Sequence, residues 1–154
     1  MTENLVAKSS VTIEAPGKDV WNTLLDPKAI EQYMFGARVT SSWTVGSPIT
    51  WTGEWEGKRF EDRGIVLEIE PEEVLSYSHV SGSSLHEGGT PIEHKVTIWL
   101  TSDGDHTRVD LEQDGNQSVQ ECDRSASNWE TMLAGLKDYV EDKYATRRLG
   151  SAAS

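Results

Sequence analysis

The stretch SVQECDRSASNWETMLAGLKDYVED, residues 118–142, decides the fold of this chain. Its apolar residues recur at alternating spacings of three and four, which places them on one stripe of an α-helix. The stripe consists of Val119, Cys122, Ala126, Trp129, Leu133, Leu136 and Val140, widened by Met132 and Tyr139. Ser118 followed by Glu121 is a capping-box pattern, which predicts the helix start. Such a long stripe needs a large apolar surface to cover it, and the strands upstream must supply that surface.

The residues before this helix read as one strand, two short helices and then six strands. Residues 7–14 alternate as a strand does, Pro16 opens a helix that ends near Leu25, and Asp26-Pro27 opens a second helix. Turn residues separate the strands that follow, up to residue 116. We therefore predict an α+β fold, in which a strongly curled antiparallel sheet of six to seven strands wraps around the long C-terminal helix. We expect a flexible N-terminus at residues 1–6, one domain at 7–144 and a disordered tail at 145–154.

The charge balance argues against two classes of partner. The chain has 154 residues, with 14 Lys plus Arg against 26 Asp plus Glu, for a formal net charge of −12. An acidic surface repels phosphate groups, so we expect neither nucleic-acid binding nor attraction to anionic membranes. No apolar run approaches the roughly 18–20 residues that cross a bilayer, and the N-terminus lacks the pattern of a signal peptide. The lone Cys122 excludes an internal disulfide. We expect a soluble, cytoplasmic protein without membrane insertion.

Aromatic residues mark a possible pocket between the sheet and the helix. Trp51 and Trp55 share one strand face, Tyr77 and His79 share another, and Trp129 lies on the helix stripe. Inward-facing rings either line a cavity for a small ligand or simply fill the core, and the sequence leaves both interpretations open. Trp99 falls on the opposite face of its strand and is either a contact surface or lies under the N-terminal helices.

Catalytic and metal-binding patterns are weak in this sequence. The four histidines lie on separate elements without the spacing of a zinc site, so we expect no metal and no cofactor. His79 is a candidate general acid or base because it shares a face with Tyr77, although a structural role is the alternative. Glu68 is a second candidate because it interrupts an apolar strand, but alternation can also place it outward.

Several motifs, in this order and spacing, resemble one protein superfamily. They are Ile13-Glu14-Ala15-Pro16 with Val20-Trp21 and Leu24, Asp26-Pro27, Gly64 to Pro71, Leu75-Ser76-Tyr77, Val96-Thr97-Ile98, Thr107-Arg108-Val109, and Asn128-Trp129 with Leu133, Leu136 and Lys137. Over residues 7–143 the chain resembles the START-like, helix-grip (SRPBCC) superfamily. Within it, the chain is most similar to the family named for the activator of the ninety-kilodalton heat-shock protein's ATPase. Tyr33 and His79 stand where many relatives carry Trp, and Gln113 stands where a His is common.

The resemblance implies a cavity between sheet and helix in which many relatives are taken to bind apolar small molecules. We therefore expect an apolar or aromatic small-molecule ligand, with the Ser81–Pro91 loop or the end of the second short helix as a gate. The expected ligand-binding residues are Tyr33, Phe35, Trp51, Trp55, Tyr77, His79, Val96, Ile98, Trp129, Met132, Leu133 and Leu136.

Three alternatives remain open on the same residues. One is a cyclase or dehydratase-like enzyme that uses His79 or Glu68. A second is a co-chaperone with a chaperone partner, whose ATPase it stimulates, although the founding members resemble a two-part protein and this chain has room for one part. The third is a filled core with a function carried by the surface. We expect a monomer or a homodimer, and we favour binding without turnover while leaving the enzyme open as an alternative.

Overall fold

The structure is a computed structural model that describes residues 5–34, 36–55, 57–80, 93–116 and 118–153, without the side chains of Trp55, Lys58 and residues 146–153. The described residues form seven strands and three helices in the predicted order. The strands are β1 (Leu5–Ile13), β2 (Arg38–Ser41), β3 (Pro48–Trp55), β4 (Lys58–Glu70), β5 (Val74–Val80), β6 (Glu93–Asp103) and β7 (His106–Asn116). The helices are α1 (Gly17–Leu25), α2 (Pro27–Tyr33) and α3 (Val119–Ala153).

The seven strands form one antiparallel sheet in the order β1-β7-β6-β5-β4-β3-β2. Strands β2 to β7 follow one another as a meander, and β1 joins the far edge beside β7. The sheet stays open, with β1 and β2 as its edges, and α3 packs against it. The α+β helix-grip prediction is therefore confirmed.

The predicted local signals at the helix starts are present. The Ser118 side chain accepts a hydrogen bond from the Glu121 N–H, with 3.0 Å between Oγ and N. Asp26 caps α2 by accepting from the Lys28 N–H at 3.1 Å, with Pro27 in the first turn. These bonds satisfy backbone donors that have no partner inside the helix.

The two ends of the chain differ from our expectation. Strand β1 begins at Leu5 rather than at residue 7, and the Asn116 side-chain amide donates to the Leu5 carbonyl at 2.9 Å. Helix α3 continues to Ala153, through the segment that we expected to be a disordered tail. Ala145, Arg147 and Leu149 favour a helix, so little in this segment stops one once α3 has formed.

Helix α3 lies along β1 and buries only the second half of its apolar stripe. The Lys137 ammonium donates to the Thr12 carbonyl at 2.9 Å, and the Glu14 N–H donates to the Glu141 carboxylate at 2.8 Å. The buried residues of the stripe are Met132, Leu133, Leu136 and Val140. By contrast, Val119 at the start of α3 is 64% exposed. The first half of the stripe therefore extends beyond the packed core.

A bulge in β4 resolves the almost continuous apolar run from Ile65 to Ile69. Val66 pairs with Tyr77 and Ile69 pairs with Leu75, so one extra residue of β4 is accommodated between these pairs. Val66 is buried, whereas Ile65 and Leu67 are 47% and 43% exposed. Because a bulge interrupts strict alternation, the sequence pattern could not assign the faces of this strand.

The core fills the space between the inner face of the sheet, α1, α2 and the second half of α3. Trp21 is buried there, whereas Trp99 is 38% exposed between the buried Ile98 and Leu100. Trp99 thus belongs to the outer face of the sheet. Within the described part of the chain, no helix is both long enough and apolar enough to cross a membrane.

Candidate functional site

A cavity of about 340 Å³ lies between the inner face of the sheet and the first half of α3. Four aromatic residues, two histidines and one carboxylate contribute to its lining. The complete lining is Met34, Ala37, Trp51, Phe60, Asp62, Tyr77, His79, His94, Val96, Gln113, Ser125, Asn128, Trp129 and Met132. The cavity is present because the core packs against the second half of α3 and leaves the first half uncovered.

Two glycines make room for the aromatic rings of the wall. A Cβ atom on Gly64 would lie 1.9 Å from the Ser78 carbonyl oxygen and 3.2 Å from the Trp51 ring. A Cβ atom on Gly53 would lie 2.8 Å from the ring of Phe60, its partner across β3 and β4. A larger residue at either position would displace a ring or a strand. The aromatic wall therefore requires glycine at positions 53 and 64.

Asp62 and His79 form a hydrogen-bonded pair at the polar end of the cavity. Their closest atoms, Oδ2 of Asp62 and Nε2 of His79, are 3.0 Å apart. The His79 ring also meets the Trp51 ring edge to face, with 5.1 Å between centroids. The side chains of His79 and Asp62 are 29% and 19% exposed. An imidazole N–H that donates to a carboxylate has a fixed orientation and tautomer, so this ring is held in place.

A second set of polar contacts joins α3 to β6 and β7. The indole N–H of Trp129 donates to the Gln113 side-chain oxygen, and the Gln113 amide nitrogen lies 3.1 Å from Nδ1 of His94. The same Nδ1 lies 2.8 Å from the Asp114 carbonyl oxygen. A carbonyl oxygen only accepts, so this shorter contact requires a proton on Nδ1, and the Gln113 amide nitrogen then lies beside the ring without donating to Nδ1. Trp129 therefore fixes Gln113, which in turn lies against His94.

Tyr77 is 5% exposed and lies at the centre of the wall. Its ring centroid is 5.4 Å from that of Trp51. Among the described residues, none pairs with the Tyr77 hydroxyl group. Burial raises the pKa of this hydroxyl well above its usual value, so the phenol stays neutral and can donate a hydrogen bond.

Tyr33 lies behind this wall, beside a smaller void of about 20 Å³. Its hydroxyl donates to the Leu24 carbonyl at 2.9 Å. Burial, reinforced by Tyr77 and Asp26, raises the pKa of Tyr33 as well. Met34, Trp51, Tyr77 and Met132 line both spaces and separate them.

The structure brings six of the expected ligand-binding residues to the cavity. They are Trp51, Tyr77, His79, Val96, Trp129 and Met132. Tyr33 and Ile98 line the smaller void instead, and Leu133 and Leu136 are packed in the core. Phe35, the side chain of Trp55 and the Ser81–Pro91 loop lie outside the described residues.

Of the two orientations open to Glu68, the structure shows the outward one, so Glu68 is not among the lining residues of the cavity. Glu68 is exposed and pairs with Ser76 beyond the β4 bulge, which shifts the inward positions from Val66 to Ile69. The carboxylate of the cavity is that of Asp62.

Sequence reasoning missed Phe60, Asp62, His94 and Gln113 as lining residues. Phe60, Asp62, Gly64 and Val66 alternate along β4, and this pattern could have indicated the first two. His94 required the β5–β6 register, in which it pairs with His79, and no local pattern contains that register. Among the described residues, no group of three or more His, Cys, Asp or Glu side chains is arranged to hold a metal ion.

Comparison with solved structures gives a consistent picture of the fold. A protein from Cytophaga hutchinsonii has 41% sequence identity and a TM-score of 0.80, and the match covers 94% of this chain and 99% of that one. A protein from Mesorhizobium loti has 21% identity and a TM-score of 0.73, covering 90% and 97% of the two chains. The Aha1 dimer from Colwellia psychrerythraea has 16% identity and a TM-score of 0.68, covering 88% and 96%.

Comparison with curated protein sequences finds no match. The family model described as activator of Hsp90 ATPase homolog 1-like protein matches residues 14–141, which include every lining residue of the cavity. With most of its length matched, this chain belongs to the family of activator of Hsp90 ATPase homolog 1-like proteins.

Proposed function

We propose that this protein binds a small molecule with an apolar or aromatic body in the cavity between the sheet and α3. The observation that carries the proposal is a space of about 340 Å³ with aromatic walls and a polar end. Ligand pockets in proteins are typically about 300–1,000 Å³, mostly apolar, with a few polar groups that orient the ligand. The cavity of this chain matches that description in both size and chemistry.

The arrangement of the walls supports a binding role over a filled core. Trp51, Phe60 and Trp129 present apolar ring surface to the cavity, and burying such surface stabilises a complex by about 25 cal/mol per Å². A ligand would cover this ring surface and complete the packing of the walls.

Native mass spectrometry of the purified protein, compared with its denatured mass, tests whether a ligand is retained. Titration with the neutral fluorescent probe N-phenyl-1-naphthylamine tests whether the cavity accepts an added one. We expect a probe-dependent rise in fluorescence with one site per chain. Absence of both a retained mass and a probe signal would refute the proposed function.

A cavity-filling substitution makes this test specific. Val96 is 1% exposed and lines the cavity, so Val96→Phe should fill part of the space and weaken probe binding about tenfold or more. Val45→Phe is the matched control, because Val45 is 65% exposed and lies away from the lining. Equal probe affinity for both variants would place the probe outside the cavity. Circular dichroism checks that both variants are folded.

The Asp62–His79 pair supports a second candidate function, a cyclase or dehydratase-like activity in the same cavity. A carboxylate that accepts from an imidazole stabilises the imidazolium formed when that ring takes a proton, which suits a general base. The compound recovered by native mass spectrometry would be incubated with the protein and its conversion followed by chromatography and NMR, because cyclisation alone leaves the mass unchanged and dehydration removes a water. Catalysis predicts that His79→Ala abolishes the conversion while binding persists, and an unchanged compound with the wild-type protein argues for binding alone.

We further propose that the protein is a monomer or a homodimer in the cytoplasm. The relative from Colwellia psychrerythraea was solved as a dimer, which supports the second of these states. The native mass spectrum reports the oligomeric state directly. Stimulation of a heat-shock ATPase, the activity in the family name, is tested by adding the protein to that ATPase, and an unaltered rate would exclude it.

A further inference from the structure

One carboxylate belongs to the described lining of the cavity. Asp62 is the carboxylate of the lining, and no Lys or Arg is among the described residues that line it. The chain as a whole carries a formal net charge of −12. A negative charge at the rim of a low-dielectric cavity attracts cations and repels anions, and the acidic surface adds to this field.

Two aromatic residues of the lining are neighbours of Asp62 in the sheet. Asp62 pairs with Trp51 across β3 and β4, and Phe60 precedes it by two residues on the same face of β4. The Trp51 ring also lies beside Tyr77 and His79, with centroid distances of 5.4 Å and 5.1 Å. Faces of Trp, Tyr and Phe rings attract cations, and Trp does so most strongly. The carboxylate and the rings therefore favour the same kind of ligand group.

The contact with His79 orients the carboxylate of Asp62. Nε2 of His79 lies 3.0 Å from Oδ2 of Asp62, and the same imidazole ring packs edge to face on Trp51. A hydrogen bond that donates to a carboxylate leaves its proton on the donor. Gln113 adds a neutral amide group to the lining. A quaternary ammonium needs no hydrogen-bond acceptor, so the partners that Asp62 already has do not compete with it.

We propose that the ligand of this cavity is an organic cation, with its positive group beside Asp62 and Trp51 and its apolar body against Phe60, Trp129 and Met132. The inference rests on the proposed function, because it specifies the chemical class of the molecule bound there. A preference for a cation distinguishes this cavity from a purely apolar one. A purely apolar cavity would disfavour a charged ligand, because removing water from the charged group costs free energy.

Two compounds of the same shape test the charge preference. Benzyltrimethylammonium and neopentylbenzene differ in having a cationic nitrogen or a neutral carbon at the branch point. Both would be titrated by calorimetry or NMR at about pH 8.5, roughly two units above the reference pKa of a histidine side chain. We expect the wild-type protein to bind the cation at least as tightly as the neutral compound.

Asp62→Asn removes the charge and keeps the shape of the side chain. We expect it to weaken binding of benzyltrimethylammonium about tenfold and to change neopentylbenzene affinity by less than about twofold. Asp110→Asn is the control, because it also removes one negative charge but does so beside Trp99 on the outer face of the sheet. It should affect the binding of neither compound. Thermal melts of both variants check folding.

The outcomes separate this inference from the proposed function. If neopentylbenzene binds and the cation does not, or if Asp62→Asn changes both affinities equally, the cavity is apolar and the inference is overturned. A loss of cation binding in Asp110→Asn as large as in Asp62→Asn would likewise overturn it. If neither compound nor N-phenyl-1-naphthylamine binds the wild-type protein, the proposed function fails, and the inference fails with it.

Discussion

His79 and Asp62 lie 17 residues apart in the sequence, yet their Nε2 and Oδ2 atoms are 3.0 Å apart at the end of the cavity. The pair occupies neighbouring strands, β4 and β5, and is packed against the ring of Trp51. It therefore combines three properties of the site, namely a negative charge, an oriented imidazole and an aromatic face. The following predictions test the parts of the structure that hold this arrangement in place.

Trp51→Ala should remove the main aromatic surface of the cavity. Trp51 is 6% exposed, so we expect a loss of about 3–5 kcal/mol in the free energy of unfolding and a loss of probe binding. Urea denaturation and fluorescence titration measure the two effects. Trp99→Ala is the matched control, because Trp99 is 38% exposed on the outer face and should leave probe affinity unchanged. Unaltered affinity in Trp51→Ala would remove Trp51 from the binding site.

Two glycine-to-alanine substitutions should have opposite signs. Gly64→Ala places a Cβ atom 1.9 Å from a backbone carbonyl oxygen of β5, so a strand must move and the protein should be strongly destabilised. Gly135→Ala in α3 places a Cβ atom 3.6 Å from Tyr33, an ordinary contact, and should stabilise the helix by about 0.5–1 kcal/mol. The free energy of unfolding of both variants would be measured by urea denaturation. An unchanged free energy of unfolding in Gly64→Ala would contradict this account.

The two buried tyrosines should differ at neutral pH. Tyr33→Phe leaves the buried Leu24 carbonyl without its donor, so we expect a loss of about 1–3 kcal/mol in the free energy of unfolding. Tyr77→Phe removes a hydroxyl that no described residue pairs with and should cost less. Chemical denaturation ranks the two variants, and a larger loss for Tyr77→Phe would mean that its hydroxyl has a partner in the free protein.

The raised pKa of Tyr77 predicts a loss of stability in alkali. Its phenol has a reference pKa of 10.0, and burial raises that pKa in the folded state. The unfolded chain therefore releases its proton first, so stability is fully present below about pH 10 and falls as the pH rises further. Tyr77→Phe should lose less stability than the wild-type protein between about pH 10 and 11.5 in thermal melts. Parallel curves for the two proteins would contradict the prediction.

Glu141 should contribute stability that disappears in acid. Burial by itself raises the pKa of its carboxyl, but hydrogen bonds from Lys137 and from the Glu14 N–H, together with the Lys137 charge, lower the pKa below its usual value. The contribution is therefore present above the unfolded pKa, about 4.3, and is lost as the pH falls through the lower folded pKa. Denaturation should show the stability difference between wild type and Glu141→Gln shrinking below about pH 4.5.

Lys137→Met is the companion variant for this measurement. It removes the main partner that lowers the Glu141 pKa, so it should flatten the same part of the pH profile. A profile identical to that of the wild-type protein would show that the contact between α3 and β1 does not depend on this pair.

The sequence by itself determined the order of elements and much of the local structure. The three- and four-residue spacing from Val119 to Val140 predicts α3, and Asp26-Pro27 predicts the start of α2, because both signals act within a few residues. Val96, Ile98 and Leu100 alternate as expected on β6, and Gly104 adopts positive φ in the following turn. Short turns between strands then favour an antiparallel meander.

The tertiary structure alone decided which inward residues line the cavity and which fill the core. Leu133 and Leu136 share the helix stripe with Trp129, yet only Trp129 reaches the cavity, because the core packs against the second half of α3. The bulge in β4 turned Glu68 outward, and strand pairing brought Asp62 to His79 and His79 to His94. These contacts join residues distant in sequence, and pairing register is a property of two strands together, so no single stretch of sequence contains it.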